Sequence, residues 1–194
     1  MSTLFRLGWW LGRVPIRKGA TAGVVAYITG LLLVGILGIV DPETDPGPGG
    51  AETVTDIGLL FYASHFVDMR TTTETSAGTE SETYSLFAES ATQIPALGFS
   101  LVPAVVLLVT GYVVASRFGD GSESSRSVLA GASVVIGYLP LALAGTALFE
   151  YAGGFEGYHV TIGPDLAQSI ALAGLLFPLV FGAIGGYVAY TRVE

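Results

Sequence analysis

The chain has no cysteine and no asparagine, and Lys18 is its single lysine. Without cysteine it can form no disulfide, thiol nucleophile or thiolate metal site. Only eight lysine and arginine residues stand against sixteen acidic ones, a net charge of −8 that argues against electrostatic binding to nucleic acid. Charged residues make up 12% of the 194 positions and hydrophobic residues 51%, so the composition also argues against an ordinary soluble domain.

Sequence patterns for the common kinds of catalysis are absent as well. The chain contains no G-x-x-x-x-G-K-[ST] phosphate loop, no G-x-S-x-G nucleophile turn and no H-E-x-x-H zinc motif. Its long apolar stretches contain no acid, base or histidine that could relay protons or hydrolyse a bond within a membrane. We therefore expect no enzymatic activity, no catalytic residue, no bound cofactor and no metal.

Four apolar stretches are long enough to cross a hydrocarbon core, which takes about 20 helical residues. None contains an ionisable acid or base, and none alternates polar and apolar residues as a barrel strand does. The sequence therefore predicts an all-α integral membrane protein with four transmembrane helices. The predicted spans are Ala20 to Val40, Ile94 to Ala115, Val128 to Phe149 and Leu166 to Ala189.

The basic residues indicate how these spans are oriented, because short loops rich in lysine and arginine stay on the cytoplasmic side. Seven of the eight basic residues lie on one side of a four-span arrangement, together with both ends of the chain and the loop 118–127. Arg70 is the only basic residue on the other side, which also holds thirteen acidic residues. We therefore expect cytoplasmic termini and extracellular loops at 41–93 and 150–165.

The segments outside the spans differ in character. Residues 1–18 carry Trp9 and Trp10 among arginines that share one helical face, which predicts an amphipathic helix on the cytoplasmic membrane surface. Thr55 to Met69 is predicted to form a helix too short to span, placed as a re-entrant or interfacial cap on the bundle. Thr71 to Glu82 is rich in threonine, serine and glutamate and is expected to be mobile.

Sliding the chain along itself by 75 residues aligns the second span with the fourth. Matches of glutamine, proline, glycine and tyrosine carry more information than matches of common apolar residues. They predict two tandem hairpin repeats, residues 19–117 and 128–194, related by a pseudo-two-fold axis along the membrane normal. The matched pairs are Gln93 with Gln168, Pro103 with Pro178, Gly111 with Gly186 and Tyr112 with Tyr187.

These eight positions are candidate structural or pathway residues. The two prolines are expected to kink their helices at matching depth, and the two glycines to allow close helix packing. The two tyrosines are expected near the cytoplasmic interface. The glutamines have two interpretations: they polarise a shared solute entrance, or they cap the ends of their helices, which is the commoner role.

The two histidines, His65 and His159, both lie in predicted outer loops near carboxylates. They would form part of a metal site if the loops met, but neither has a ligand spacing such as H-x-x-x-H. The more economical interpretation is that both are local structural or surface histidines.

The low lysine content, the acidic balance and the absence of asparagine and cysteine are typical of proteins from extreme halophiles. Together with the segment Leu60 to Val67 (LFYASHFV) and the four-span layout, they resemble a group of uncharacterised haloarchaeal multi-pass membrane proteins. The resemblance implies no particular activity.

Two functions are open at this point. A structural or accessory component of a cell-envelope membrane complex is favoured, because glycine-rich spans without charge suit tight packing. A small solute or ion transporter or channel, formed from two parallel hairpin repeats in a homo-oligomer, is the alternative. The expected partners are the lipid bilayer and either copies of this chain or other membrane subunits.

Overall fold

The computed structural model describes residues 16–44, 50–89, 92–118, 123–155 and 157–192. The amphipathic helix predicted within residues 1–18 therefore lies outside the described residues, except for its last three positions. The described residues form two parts, a bundle of long apolar helices and a small sheet at one end of it. We call that end of the bundle the sheet end.

Within the described ranges, four helices are long and apolar enough to cross a membrane, which confirms the four predicted spans by length and composition. Their ends lie within four residues of the predicted boundaries. Numbered as spans 1 to 4, they cover Ile16–Val40, Ala96–Phe118, Ser124–Leu148 and Leu166–Thr191.

Spans 3 and 4 are not uniform α-helices. Span 3 consists of two α-helices, Ser124–Ala132 and Val135–Leu148. Span 4 begins with a short α-helical turn, Leu166–Gln168, continues as a π-helix, Ser169–Leu176, and ends as an α-helix, Phe177–Thr191.

The two matched prolines have different local backbones. Pro103 lies inside the continuous α-helix of span 2, whereas Pro178 lies at the start of the α-helix that follows the π-helix. Because proline has no N–H, the carbonyl of Gly174 has no α-helical partner, and the wider π-helical turns occur directly before this point. The repeat predicted equivalent kinks at Pro103 and Pro178, but the backbone around the two prolines differs.

Both loops that were expected to be extracellular contain β-strands, so the expectation of an all-α fold was wrong. Strands β1 (Met69–Thr75), β2 (Gly78–Tyr84), β3 (Tyr151–Phe155) and β4 (Tyr158–Pro164) form an antiparallel sheet in the order β2-β1-β4-β3. The segment Thr71 to Glu82, expected to be mobile, makes up most of the first hairpin. Its threonines favour strands, but β2 is exposed on both faces and β1 is mostly half-buried, so the segment shows no apolar alternation.

The central pair of strands joins the two outer loops. β1 pairs with β4 along its whole length, from Met69 opposite Pro164 to Thr75 opposite Tyr158. A two-fold axis relating the predicted repeats would exchange β1 with β3 and β2 with β4, and would require β2 to pair with β3. β2 and β3 are instead the two edge strands. The sheet therefore does not follow the repeat, which stays a prediction for the spans.

A short helix, Ala51–Ala63, precedes the first hairpin, and we call it the inserted helix. It starts four residues before the start of the predicted cap segment Thr55 to Met69 and ends at Ala63, six residues before the end of that segment. Met69 itself already belongs to β1. Gly38 of span 1 allows the inserted helix to pack closely, since a Cβ there would lie 2.6 Å from the side chain of Leu60.

Glycines also set the distance between spans 2 and 4. A Cβ on Gly185 would lie 2.0 Å from the carbonyl oxygen of Leu108, and one on Gly111 would lie 2.3 Å from the carbonyl oxygen of Gly182. The two helices therefore touch backbone to backbone. In lipid, such contacts between small residues stabilise helix association through van der Waals packing.

We predict that Gly185→Ala destabilises the bundle by about 1–3 kcal/mol, because the added methyl group overlaps the Leu108 carbonyl and the backbones must move apart. Unfolding of the purified protein in detergent, followed by circular dichroism, measures the effect. Gly153→Ala is the control, because nothing lies within 4 Å of the added atom. Equal stability of the two variants would contradict the close contact.

Candidate functional site

The inserted helix extends from the sheet end into the space between the spans, and the chain then turns back towards the sheet end. Residues Gly58 to Ala63 are buried, and His65 after them is inaccessible to solvent. The chain reverses at Phe66, whose φ of 61° is uncommon for a bulky residue. The Val67 N–H then donates back to the carbonyl of Tyr62. This segment thus enters and leaves the bundle at the sheet end.

His65 has both ring nitrogens occupied by protein groups. Its Nδ1 lies 2.7 Å from the carbonyl oxygen of Phe61, and its Nε2 lies 2.8 Å from the hydroxyl oxygen of Tyr138. Because a carbonyl oxygen only accepts, we assign the proton to Nδ1, and Nε2 accepts from the tyrosine. An imidazole with one protonated nitrogen and one nitrogen that accepts a hydrogen bond is neutral.

Two further tyrosines connect the inserted helix to spans 1 and 3. The Tyr62 hydroxyl donates to the carbonyl of Ala142 in span 3, and its oxygen lies 3.4 Å from the hydroxyl of Tyr27 in span 1. Gly145 leaves room for these hydroxyls, because a Cβ there would lie 2.3 Å from one and 2.4 Å from the other. Because it donates to a carbonyl, the Tyr62 hydroxyl is protonated.

Aromatic rings surround these hydrogen bonds. The rings of Phe61 and Phe177 each lie 4.7 Å from the imidazole of His65, centroid to centroid. Tyr27 contacts Phe61 and Tyr138 edge to face, at 5.0 and 5.2 Å. We call six side chains, each no more than 6% exposed, the central cluster: Tyr27, Phe61, Tyr62, His65, Tyr138 and Phe177.

The central cluster lies near the middle of the bundle. Tyr27, Tyr138 and Phe177 are each 10 to 14 residues from either end of their spans. The only acids, bases or histidines within the spans are Arg17, Lys18, Arg117 and Arg126, all near the end opposite the sheet. The chain segment after the inserted helix nevertheless brings an imidazole to the midpoint of the spans. This placement was not predicted. The available signal was a histidine within the apolar segment 60–67, which is too short to span and therefore packs against other helices.

The second histidine lies in a different part of the fold. His159 is exposed on β4, where its cross-strand partner is Glu74 of β1, whereas His65 is enclosed by the bundle. The two histidines are therefore not brought together. In the part of the chain that the structure describes, no group of three or more histidine, aspartate or glutamate side chains is arranged to hold a metal ion.

A polar network at the sheet end ties the two outer loops together. Asp165 caps span 4 by accepting the Gln168 N–H at 2.8 Å, and it also accepts from Nε of Arg70 at 2.8 Å. The Gln168 amide accepts from the Asp68 N–H at 2.8 Å and donates to the Asp68 carboxylate at 3.0 Å. Burial raises the pKa of Asp165, but the hydrogen bonds from Gln168 and Arg70 outweigh it and hold the pKa below its usual value.

Gln93, the predicted counterpart of Gln168, has a different environment. Its backbone N–H and that of Ile94 donate to the buried carboxylate of Asp41, at 3.3 and 2.8 Å. The bond from Ile94 is the largest cause of the lowered pKa of Asp41, and burial opposes it. Asp41 thereby ties the end of span 1 to the start of span 2. The two glutamines are not equivalent, and Asp165 has the capping role expected of Gln168.

The matched glycines and prolines lie against other helices. A Cβ on Gly186 would lie 2.2 Å from the carbonyl oxygen of Ser127 in span 3, and Gly111 meets span 4 as described above. Pro103 and Pro178 are both buried. The contacts of these four residues are those of helix packing.

The matched tyrosines lie at the end of the bundle opposite the sheet, but they differ in exposure. The guanidinium of Arg192 lies over the ring of Tyr112, 5.6 Å from its centroid. Tyr187 is 52% exposed. The two tyrosines therefore do not share one environment.

These features define a mostly helical protein with four helices suited to span a membrane, a buried segment between them and a small sheet at one end. The family of unknown function DUF7978 matches residues 11–193, and the chain belongs to this family. No curated protein and no solved structure matches the chain. A functional conclusion therefore depends on the geometry described above.

We predict that Tyr138→Phe destabilises the protein by about 1–3 kcal/mol, because it leaves the buried Nε2 of His65 without a donor. Reversible unfolding in mixed detergent micelles measures the change. Tyr187→Phe is the matched control, since it removes the same hydroxyl from an exposed residue and should change stability by less than about 0.5 kcal/mol. Similar losses in both variants would contradict the assigned hydrogen bond.

Proposed function

We propose that the protein is a non-catalytic structural or accessory component of a membrane complex in the cell envelope. The observation that carries this proposal is the central cluster, which fills the middle of the bundle with buried side chains. Both nitrogens of His65 and the hydroxyl of Tyr62 bond to protein groups there. A centre filled in this way favours a fixed scaffold over a solute pathway.

The contacts between spans support the same proposal. A transporter must rock one helical repeat against another around a central site. Here Gly111, Gly182 and Gly185 bring spans 2 and 4 into direct backbone contact. Hydrogen bonds of Tyr62 and His65 additionally connect the inserted helix to span 3. Alternating access would have to break these contacts together.

An apolar groove between spans 1 and 2, which we call the span groove, supports docking of a transmembrane helix from a partner subunit. Its volume is about 480 Å³, and it faces the surroundings of the bundle. In lipid, a helix binds such a surface by van der Waals packing rather than by a hydrophobic effect. Its lining is wholly aliphatic: Leu33, Ile36, Leu37, Val40, Leu101, Val102, Val105 and Val106.

We expect a foreign membrane subunit to co-elute in fixed stoichiometry when the full-length chain is purified in mild detergent. High salt is used because the acidic composition resembles that of halophilic proteins. Val105→Phe should release this subunit, because Val105 lines the span groove. Val109→Phe is the matched control, since Val109 is a similarly exposed valine of the same span outside that lining.

Native mass determination and identification of the co-eluting chains provide the readout. Recovery of this chain alone would overturn the accessory role. If this chain were recovered alone and carried solutes across liposome membranes, the transporter alternative would replace the accessory role. Equal retention of the subunit by both valine variants would exclude the span groove as its binding surface.

We further propose that the sheet end lies outside the cell and both termini lie in the cytoplasm. Arg70 is the only basic residue between Asp41 and Ser116 in the sequence. The end opposite the sheet carries the other basic residues of the described ranges, and this asymmetry is that of the positive-inside rule. They are Arg17, Lys18, Arg117, Arg126 and Arg192.

The absence of native cysteine allows this orientation to be tested by labelling single cysteines. We predict that Thr79→Cys, on exposed strand β2, reacts with a membrane-impermeant maleimide in intact cells. Ser125→Cys, exposed at the opposite end, should react only after the cells are permeabilised. The reverse pattern would contradict the proposed orientation.

A further inference from the structure

A second groove lies where the sheet meets the ends of spans 3 and 4, and we call it the interface groove. Its volume is about 530 Å³. One wall is polar and includes Arg70, Glu150 and Thr161, whereas the other includes Leu166 and Ile170 at the start of span 4. A groove with one polar and one apolar wall, at the end of membrane-spanning helices, suits an amphiphilic ligand.

The register of the sheet places the polar groups on one face. Arg70 of β1 lies opposite Gly163 of β4, and opposed residues of an antiparallel pair point to the same face. A Cβ on Gly163 would lie 3.3 Å from Cγ of Glu150, so the Glu150 side chain crosses this face beside Arg70. Thr72 and Thr161 form the next opposed pair on the same face.

Arg70 is held in one orientation and still reaches the interface groove. Its Nε and one terminal nitrogen bond to the carboxylate of Asp165. The Arg70 side chain is nevertheless 49% exposed, whereas that of Asp165 is 4% exposed. A guanidinium fixed in this way has further N–H donors in a planar arrangement that matches phosphate oxygens. Because its orientation is set before binding, little side-chain entropy is lost.

The charges of the interface groove select among phosphate compounds. The charge of Asp165 is balanced by Arg70, whereas Glu150 is exposed beside them. A phosphate by itself would be repelled by Glu150. A head group that carries an ammonium or hydroxyl donor next to its phosphate would satisfy both Arg70 and Glu150.

We propose that the interface groove binds the head group of a phospholipid whose phosphate is followed by an ammonium or hydroxyl donor. The phosphate lies against Arg70, and the donor bonds to the carboxylate of Glu150. The first part of an acyl chain packs against Leu166 and Ile170, which are 55% and 36% exposed. This site does not depend on whether the protein has partner subunits.

Native mass spectrometry of the delipidated full-length protein tests the proposal, with phosphatidylethanolamine as the probe. We expect it to bind about tenfold more tightly than diacylglycerol, which lacks the phosphate, or phosphatidylcholine, which lacks the donor. Glycerophosphoethanolamine is the soluble competitor that distinguishes a lipid site from a site for a free phosphate ester. Equal binding of the three lipids, or displacement by an equimolar amount of the soluble ester, would overturn the proposal.

Two variants locate the binding at the interface groove. Arg70→Gln should weaken phosphatidylethanolamine binding about tenfold. Gly163→Val should also weaken it by occupying the groove, and it leaves the pair of Arg70 and Asp165 in place. Arg117→Gln removes an exposed cation at the opposite end and is the matched control.

Thermal unfolding of each variant establishes which of them are folded before binding is compared. Unchanged binding by folded Gly163→Val would overturn the assignment even if Arg70→Gln failed to fold. An equal loss of binding in Arg117→Gln would also overturn it, because the effect would then follow net charge rather than position.

Discussion

The imidazole of His65 lies between apolar helices, where a polar group without hydrogen bonds would be strongly unfavourable. The Phe61 carbonyl and the Tyr138 hydroxyl supply the two bonds that a neutral imidazole can make. Phe61 belongs to the inserted helix, Tyr138 to span 3, and Tyr27 of span 1 packs against both rings. The inserted helix can therefore be accommodated only when spans 1 and 3 hold their positions around it.

The network at the sheet end continues this constraint. The chain that leaves the bundle after His65 reaches Asp68, whose carbonyl accepts the Asp165 N–H at 2.9 Å. The next residue, Met69, starts the central strand pair opposite Pro164. The depth of the inserted segment and the register of the sheet are therefore linked. A slip of one residue would reverse the faces of β1 and remove Arg70 from the interface groove.

The two regions use their polar groups differently. In the central cluster, the polar groups of His65 and Tyr62 bond to the protein itself and hold the bundle in one arrangement. At the sheet end, Arg70 and Glu150 face an open groove. The polar groups at the centre of the bundle are thus occupied by the protein, whereas those at the sheet end are accessible from the interface groove.

Sequence alone determined the four spans, because a hydrocarbon core requires about 20 apolar helical residues whatever the tertiary packing. It did not reveal the sheet, since β2 is exposed on both faces and β1 is only partly buried, so that neither carries an apolar alternation. Nor did it reveal the central cluster or the capping of span 4 by Asp165. Tyr138 and His65 are 73 positions apart, and Arg70 and Asp165 are 95 apart. Only the tertiary structure decided these contacts, because they depend on how separate helices and loops pack, which no local pattern records.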